Sequence, residues 1–145
     1  MLPLKIKRLT ETAKIPTKGT PESAGYDLYA DTDKPVIVIP GRSYKFPTGI
    51  AITIPEGYFG AIFARSGLAI NRGLRPANCV GVIDRDFTNE VIVALYNDSS
   101  NSVVIQAHER IAQLVLLPYL DVEISEVDTL EETERKGGFG STGRL

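Results

Sequence analysis

Runs of four to seven residues rich in valine, isoleucine and aromatics follow one another along the chain, each cut off by glycine, proline, asparagine or aspartate. The runs are Val36 to Ile39, Thr48 to Ile54, Tyr58 to Phe63, Glu90 to Tyr96, Val103 to Gln106, Ile111 to Leu117 and Val122 to Val127. Several alternate apolar and polar residues with period two. They break at Pro40-Gly41, at Pro55-Glu56-Gly57 and at Asn97-Asp98-Ser99, which are turn signals. Runs this short, so evenly spaced, predict an all-β sandwich, barrel or jelly roll. The start, Met1 to Lys7, also alternates and reads as a strand, not as a signal segment. Only Ser66 to Asn71 suits a short helix, with Ser66 as its N-cap and Gly73 as its end.

At 145 residues, 43% of them apolar, the chain suits one compact domain with a core of its own. A net charge of −2 with scattered basic residues gives no footprint for nucleic acid or an anionic membrane. No apolar run approaches the roughly 18 residues of a membrane-spanning helix. The single cysteine, Cys79, cannot form an internal disulfide, which fits a reducing cytoplasm. With one histidine and one cysteine, a protein-ligated zinc site is not expected. A catalytic metal would be hard, oxygen-bound and carried by the substrate, as magnesium is by nucleotides.

The ending differs from the rest, so the chain divides into a β domain at 1–130 and an arm at 131–145. Gly137 to Gly143 holds four glycines and one large apolar residue, Phe139, and cannot bury enough surface to fold alone. By composition it is a disordered tail. Alternatively it orders over a ligand, offering amides and hydroxyls to an anion and Phe139 to an aromatic ring.

Four internal segments carry candidate chemistry. Gly25-Tyr26-Asp27-Leu28 sets one acid in an apolar run, either capping its own backbone or orienting water around a cation. Arg65-Ser66-Gly67 precedes the helix, where free amides and a planar guanidinium suit phosphate. Asn78 to Phe87 is a hairpin followed by Asp84 and Asp86; it is a solvated loop with the two acids on opposite sides, or it supplies a general base. Glu109 and Arg110 read as an ion pair at a strand entrance. Gln113 reads as a core amide or a ligand donor, and His108 as a surface residue.

Taken in order, Ala24-Gly25-Tyr26-Asp27-Leu28, Arg65 to Ala69, Gly81 to Phe87, Arg110 to Leu114 and Gly138 to Gly143 resemble the five motifs of the trimeric dUTPase family. The resemblance spans about Ser23 to Gly143 and implies a jelly roll, or distorted β-barrel, with one short helix and a flexible C-terminal arm. It implies a homotrimer with active sites between subunits, hydrolysing dUTP to dUMP and pyrophosphate with Mg2+. Such an activity limits uracil incorporation into DNA and supplies dUMP for dTMP synthesis. By the same resemblance Asp84 activates the attacking water, and Asp27 holds waters of the magnesium. Arg65, Ser66, Gly67 and Gln113 contact phosphate, while Asn78, Gly81 and Val82 read uracil. Phe87 lies against the deoxyribose. From the arm, Phe139 covers the base, and Arg135, Gly140, Ser141 and Thr142 reach the phosphates.

The sequence departs from the family pattern at four places. Phe87 stands for the usual tyrosine, Ala64 for proline and His108 for glycine, and Arg135 lies four residues before Phe139 where five is usual. Two rival readings are a dCTP deaminase-like enzyme of the same fold and a regulatory trimer that binds nucleotide without turnover. The uracil hairpin and the full arm argue against the first, and the intact Asp27 and Asp84 against the second.

Overall fold

The computed structural model describes residues 3–134, 137 and 138. Its chain order is β1 (Lys5–Arg8), β2 (Tyr26–Tyr29), β3 (Val36–Val38), β4 (Ser43–Thr53), β5 (Tyr58–Phe63), α1 (Ser66–Arg72), β6 (Leu74–Pro76), β7 (Gly81–Ile83), β8 (Glu90–Asn97), β9 (Val103–Ile105) and β10 (Arg110–Pro118). The strands form two four-stranded antiparallel sheets, β1-β4-β8-β6 and β2-β10-β5-β7, and a small pair, β3-β9. This is the expected all-β jelly roll, open at its edges instead of closed into a barrel.

Alternation explains why the sheets pack. In β8 the side chains of Val91, Val93, Leu95 and Asn97 are buried while those between them are more exposed. They meet Phe46, Ile50 and Ile52 of β4 and, from the other sheet, Leu28, Ile62, Ile111 and Leu114 in one core. Fully burying each such side chain contributes about 1.5–3 kcal/mol. Asn97 is the polar exception, and it is satisfied. Its Nδ2 donates to the carbonyls of Val38 and Asn101 at 2.8 Å each, and its Oδ1 accepts from the Ser99 amide at 3.0 Å. A buried amide so bonded ties the end of β8 to β3 without a desolvation penalty.

Three expectations are corrected. The alternating run Val122 to Val127 is not a strand: residues 119–134 carry no regular structure, and Leu120 and Ile124 are 88% and 93% exposed. Periodicity supplies a face but not a partner edge, and among the described residues this run pairs with none. Second, no strand is expected ahead of the hairpin, yet β6 forms there because Leu74 and Pro76 are buried along β8, while β7 is a strand of the expected hairpin, with Gly81 and Ile83 buried along β5. Third, Ser66 is the first helical residue and not the cap. Arg65 is the N-cap, without a side-chain cap bond, and Gly73 ends the helix at φ 69° as expected.

The register of β4 on β8 shifts between Pro47 and Ala51, at a bulge where Gly49 takes φ 65°. A Cβ on Gly49 would lie 2.7 Å from both Ala13 Cβ and Thr10 Oγ1 and would strike the Asp31 carboxylate. Gly41 has a similar φ of 68° with nothing within 4 Å. Gly41→Ala is therefore expected to cost the backbone term alone, about 1–2 kcal/mol. Gly49→Ala adds the clash, for a total of about 3–4 kcal/mol. Urea unfolding of the two variants checks this, and equal losses would show that the packing at Gly49 is irrelevant.

Candidate active site

A cleft of about 360 Å3 opens where β2, β10 and the end of β5 meet α1. Antiparallel pairing sets Asp27 of β2 opposite Gln113 of β10, and Gln113 in turn opposite Phe63 at the end of β5. Ala64, Arg65 and Ser66 follow directly, so sheet register alone brings Asp27, Gln113 and the helix start together. Gln113 Nε2 donates to the Ala64 carbonyl at 2.9 Å, which fixes the loop into the helix. Gly25 leaves room for that amide: a Cβ there would sit 2.5 Å from Gln113 Oε1.

Asp27 neither caps its own backbone nor lies idle. Its side chain is only 13% exposed, and Arg65 Nε donates to Oδ1 at 2.8 Å while Arg110 Nη1 donates to Oδ2 at 3.2 Å. Glu109 does not pair with its neighbour Arg110 as expected. It pairs with Arg72 and accepts the Gln106 amide at 2.8 Å. The cleft thus carries three arginines against two carboxylates, together with the first amides of α1, which have no intrahelical partner. That balance favours an anion. Nothing in the residue pattern singles out Arg72, which joins the cleft from the last helical turn through its pair with Glu109.

A second cavity, of about 270 Å3, is lined by Asn78, Gly81, Val82, Asp84 and Phe87. The hairpin that opens it is tightly wound. Cys79 donates its amide to the Pro76 carbonyl at 3.0 Å, and Val80 donates to Asn78 at 2.7 Å across Cys79. Cys79 itself takes φ 64°, the rare and strained sense of a three-residue turn. Beyond β7 the chain turns again, with the Phe87 amide donating to Asp84 at 3.1 Å. Asp84 and Asp86 therefore do not point to opposite sides of an extended chain. Both line one further cavity with Phe59 and Tyr119.

Within the second cluster, Gly81 pairs with Ile62 near the end of β5 that leads into Arg65, but Asp84 is apart from the cleft. Gly60 pairs with Ile83, so Asp84 falls beside Phe59, and Arg65 lies beyond the far end of the same strand. The stretch of β5 between them, Phe59 to Phe63, is roughly 13 Å long at ~3.3 Å per residue. Among the described residues, the two cavities share no lining side chain. Arg135, Phe139, Gly140, Ser141 and Thr142 lie outside the described residues.

A family model described as dUTPase matches residues 11–143. The chain belongs to the dUTPase family. Curated relatives named deoxyuridine 5'-triphosphate nucleotidohydrolase include one from Desulfitobacterium hafniense, 47% identical over 138 residues, covering 94% of this chain and 91% of its own. Another, from Anaplasma marginale, is 44% identical over 146 residues and covers 99% of both. The solved dUTPase of Staphylococcus bacteriophage 80alpha with dUPNHPP has a TM-score of 0.87 at 28% identity, with 99% of each chain covered. A dUTPase variant from phage phi11 of S. aureus, described with a structural Mg(II) ion, matches in fold with a TM-score of 0.80 at 23% identity, over 90% of this chain and 100% of that one.

In this dUTPase His108 takes φ 59° and its amide donates to the Ala30 carbonyl at 3.0 Å. A left-handed corner is where glycine is favoured, which explains the residue usual in the family at this position. His108 is half-buried instead of a free surface residue, and its Nδ1 has no partner among the described residues.

Asp27→Asn keeps the shape of the carboxylate and removes the charge that Arg65 and Arg110 share. With the arginines partly in water, the expected loss is about 1–2 kcal/mol, well below that of a fully buried pair. Chemical denaturation measures it. A variant as stable as its parent would mean that the two ion pairs contribute nothing to folding.

Proposed function

We propose that this dUTPase is a dUTP diphosphatase acting as a homotrimer, with each active site assembled from more than one subunit. The observation that carries the assembly is the separation along β5. A carboxylate at the opposite end of β5 from an arginine-lined cleft, in a cavity that shares no lining residue with it, is badly placed to serve a phosphorus bound in that cleft. If the hairpin of one copy faces the cleft of the next, the two halves complete each other.

In this reading Arg65, Ser66, Gly67 and Gln113 receive the triphosphate, the first two through a guanidinium fork and the helix start. Asn78, Gly81 and Val82 of a neighbouring copy read uracil through side-chain and backbone groups. Their hairpin is wound too tightly to admit a 5-methyl group. Phe87 packs on the deoxyribose and disfavours a 2′-hydroxyl. Arg135, Phe139, Gly140, Ser141 and Thr142, on the arm at 131–145, close the site and exclude water.

Asp84 accepts a proton from a water whose oxygen attacks the α-phosphorus. The bond from that phosphorus to the bridging oxygen breaks, and the electron pair leaves with pyrophosphate; dUMP remains. Such chemistry depends on positioning and charge neutralisation more than on covalent steps by the protein. Asp27 and Glu109 are the carboxylates at the cleft, and both already hold arginines; no cluster of three metal-binding side chains occurs among the described residues. That donor set fits an ion that would arrive on the triphosphate, and Asp27, shared with Arg65 and Arg110, would help hold it only through water. When bound, Mg2+ supplies charge neutralisation across the phosphate oxygens. The consequence for the cell is less dUTP available for incorporation into DNA, and dUMP supplied for dTMP synthesis.

The deciding experiment follows pyrophosphate from dUTP and ammonia from dCTP. Pyrophosphate release alone supports the assignment, and ammonia would place the chain among deaminases. Asp84→Asn is expected to bind a non-hydrolysable dUTP analogue normally and to lose turnover by roughly 10²- to 10⁴-fold. Near-parental kcat would remove Asp84 from the role of base. Ending the chain before Gly137 is expected to slow turnover strongly while leaving the melting temperature in place. A large fall in melting temperature would instead make the arm part of the folded core.

A further inference from the structure

The pairing of β10 with β2 runs Leu114 with Tyr26, Gln113 with Asp27, Ala112 with Leu28, and then Arg110 with Tyr29. Ile111 is skipped. Partners across an antiparallel pair point to the same side, so the skipped residue changes what faces the cleft. Asp27, Tyr29 and Gln113 share one face of the sheet, and Leu28, Ala112 and Leu114 share the other, in the core. Without the bulge, Ile111 would oppose Tyr29, and Arg110 would oppose Ala30 on the core side. With it, Ile111 and Ala112 are both fully buried, and Arg110 emerges diagonally across from Asp27, within reach of a long side chain.

Arg110 uses that placement twice. Its guanidinium donates to Asp27 Oδ2 at 3.2 Å, and its carbonyl accepts from Arg65 Nη1 at 3.3 Å. Asp27 holds Arg65 from one side at 2.8 Å and the Arg110 backbone holds it from another. Arg65 would otherwise be a long side chain with several rotamers in a half-open cleft, and ordering it on binding would cost conformational entropy.

We propose that Arg110, turned onto the Asp27 face by the bulge at Ile111, is a positioning residue that pre-orients the Arg65 fork for the phosphates. This rests on the reading of the cleft as the triphosphate site. Because Arg110 acts through Asp27 and Arg65, its effect belongs to the phosphate end of the ligand and not to the base end. Lysine is a partial replacement: it reaches Asp27 as a point charge but lacks the planar fork.

The test measures binding of two ligand fragments to the full-length protein by calorimetry, inorganic pyrophosphate with magnesium and deoxyuridine, alongside dUTP kinetics. In Arg110→Gln the expected result is a pyrophosphate Kd raised roughly 5- to 10-fold, with deoxyuridine unchanged. KM for dUTP should rise by a similar factor with kcat nearly kept. Arg110→Lys should fall between Arg110→Gln and the parent, and it serves as the readout if the glutamine variant does not fold. Equal weakening of both fragments would reveal a general structural role and overturn the proposal. So would unchanged pyrophosphate binding in either variant, or a parent protein that does not bind pyrophosphate. A parent without dUTP turnover but with this fragment pattern would instead refute the hydrolase reading and leave the role of Arg110 standing.

Discussion

The six residues of β5 (Tyr58–Phe63) are hydrogen-bonded on both edges, to β10 on one side and β7 on the other, and most of the site geometry follows from those two ladders. The β10 ladder places Gln113 against Phe63, so the residues leaving β5 enter the helix beside Asp27. The β7 ladder places Ile83 against Gly60, so the residues leaving β7 emerge at the opposite end. Shifting either ladder by one residue would turn a buried set to solvent, which holds the register in place. One strand therefore fixes both the composition of the arginine cleft and its distance from Asp84.

Much of this was legible because local and global preferences agree. Period two is plain in Glu90–Asn97, and that strand is where the sequence placed it. Gly73 ends the only helix in the described residues, as its conformational freedom requires. What escaped is tertiary in origin. Glu109 beside Arg110 suggests an ion pair, yet one faces Arg72 and the other Asp27, because a bulge lies between Arg110 and Ala112 and neighbours on a strand point apart. The bulge does leave a trace: Ile111 and Ala112 are consecutive apolar residues in a strand that otherwise alternates at its start. An extended chain would put Asp84 and Asp86 on opposite faces, but the turn closed by the Phe87 amide on the Asp84 carbonyl removes that geometry.

The two halves of the site are organised by different physics. In the cleft, charges hold charges: Arg65, Asp27 and Arg110 form one connected set, and an arriving phosphate competes for donors already oriented. In the hairpin, backbone geometry does the holding, with Cys79 kept at φ 64° between two short turns. A non-glycine residue held there costs about 1–3 kcal/mol, and such conformations persist where the surrounding structure over-determines them. Pro76, buried on one side, and Gly81, packed against Ile62, supply that constraint. Salt should therefore weigh on the first half much more than on the second.

Exposed apolar side chains bear on how the halves meet. Val82, Phe87 and Ile92, all beside the Asp84 cavity, are 63%, 40% and 49% exposed in the single chain. A soluble monomer tolerates scattered apolar residues, but a cluster rimmed by polar groups marks a contact surface. Beyond Pro118 the alternating Leu120, Val122 and Ile124 add a second apolar edge with no ladder among the described residues. In the proposed trimer these surfaces account for assembly and catalysis at once. In that proposed assembly, contacts covering Val82 and Ile92 would also bring a neighbour against the turn bearing Asp84, so burial of apolar surface would supply the free energy that sets the proposed base opposite another subunit's phosphate cleft. Weakening that apolar contact at Ile92 would then lower turnover without touching a group assigned to the substrate.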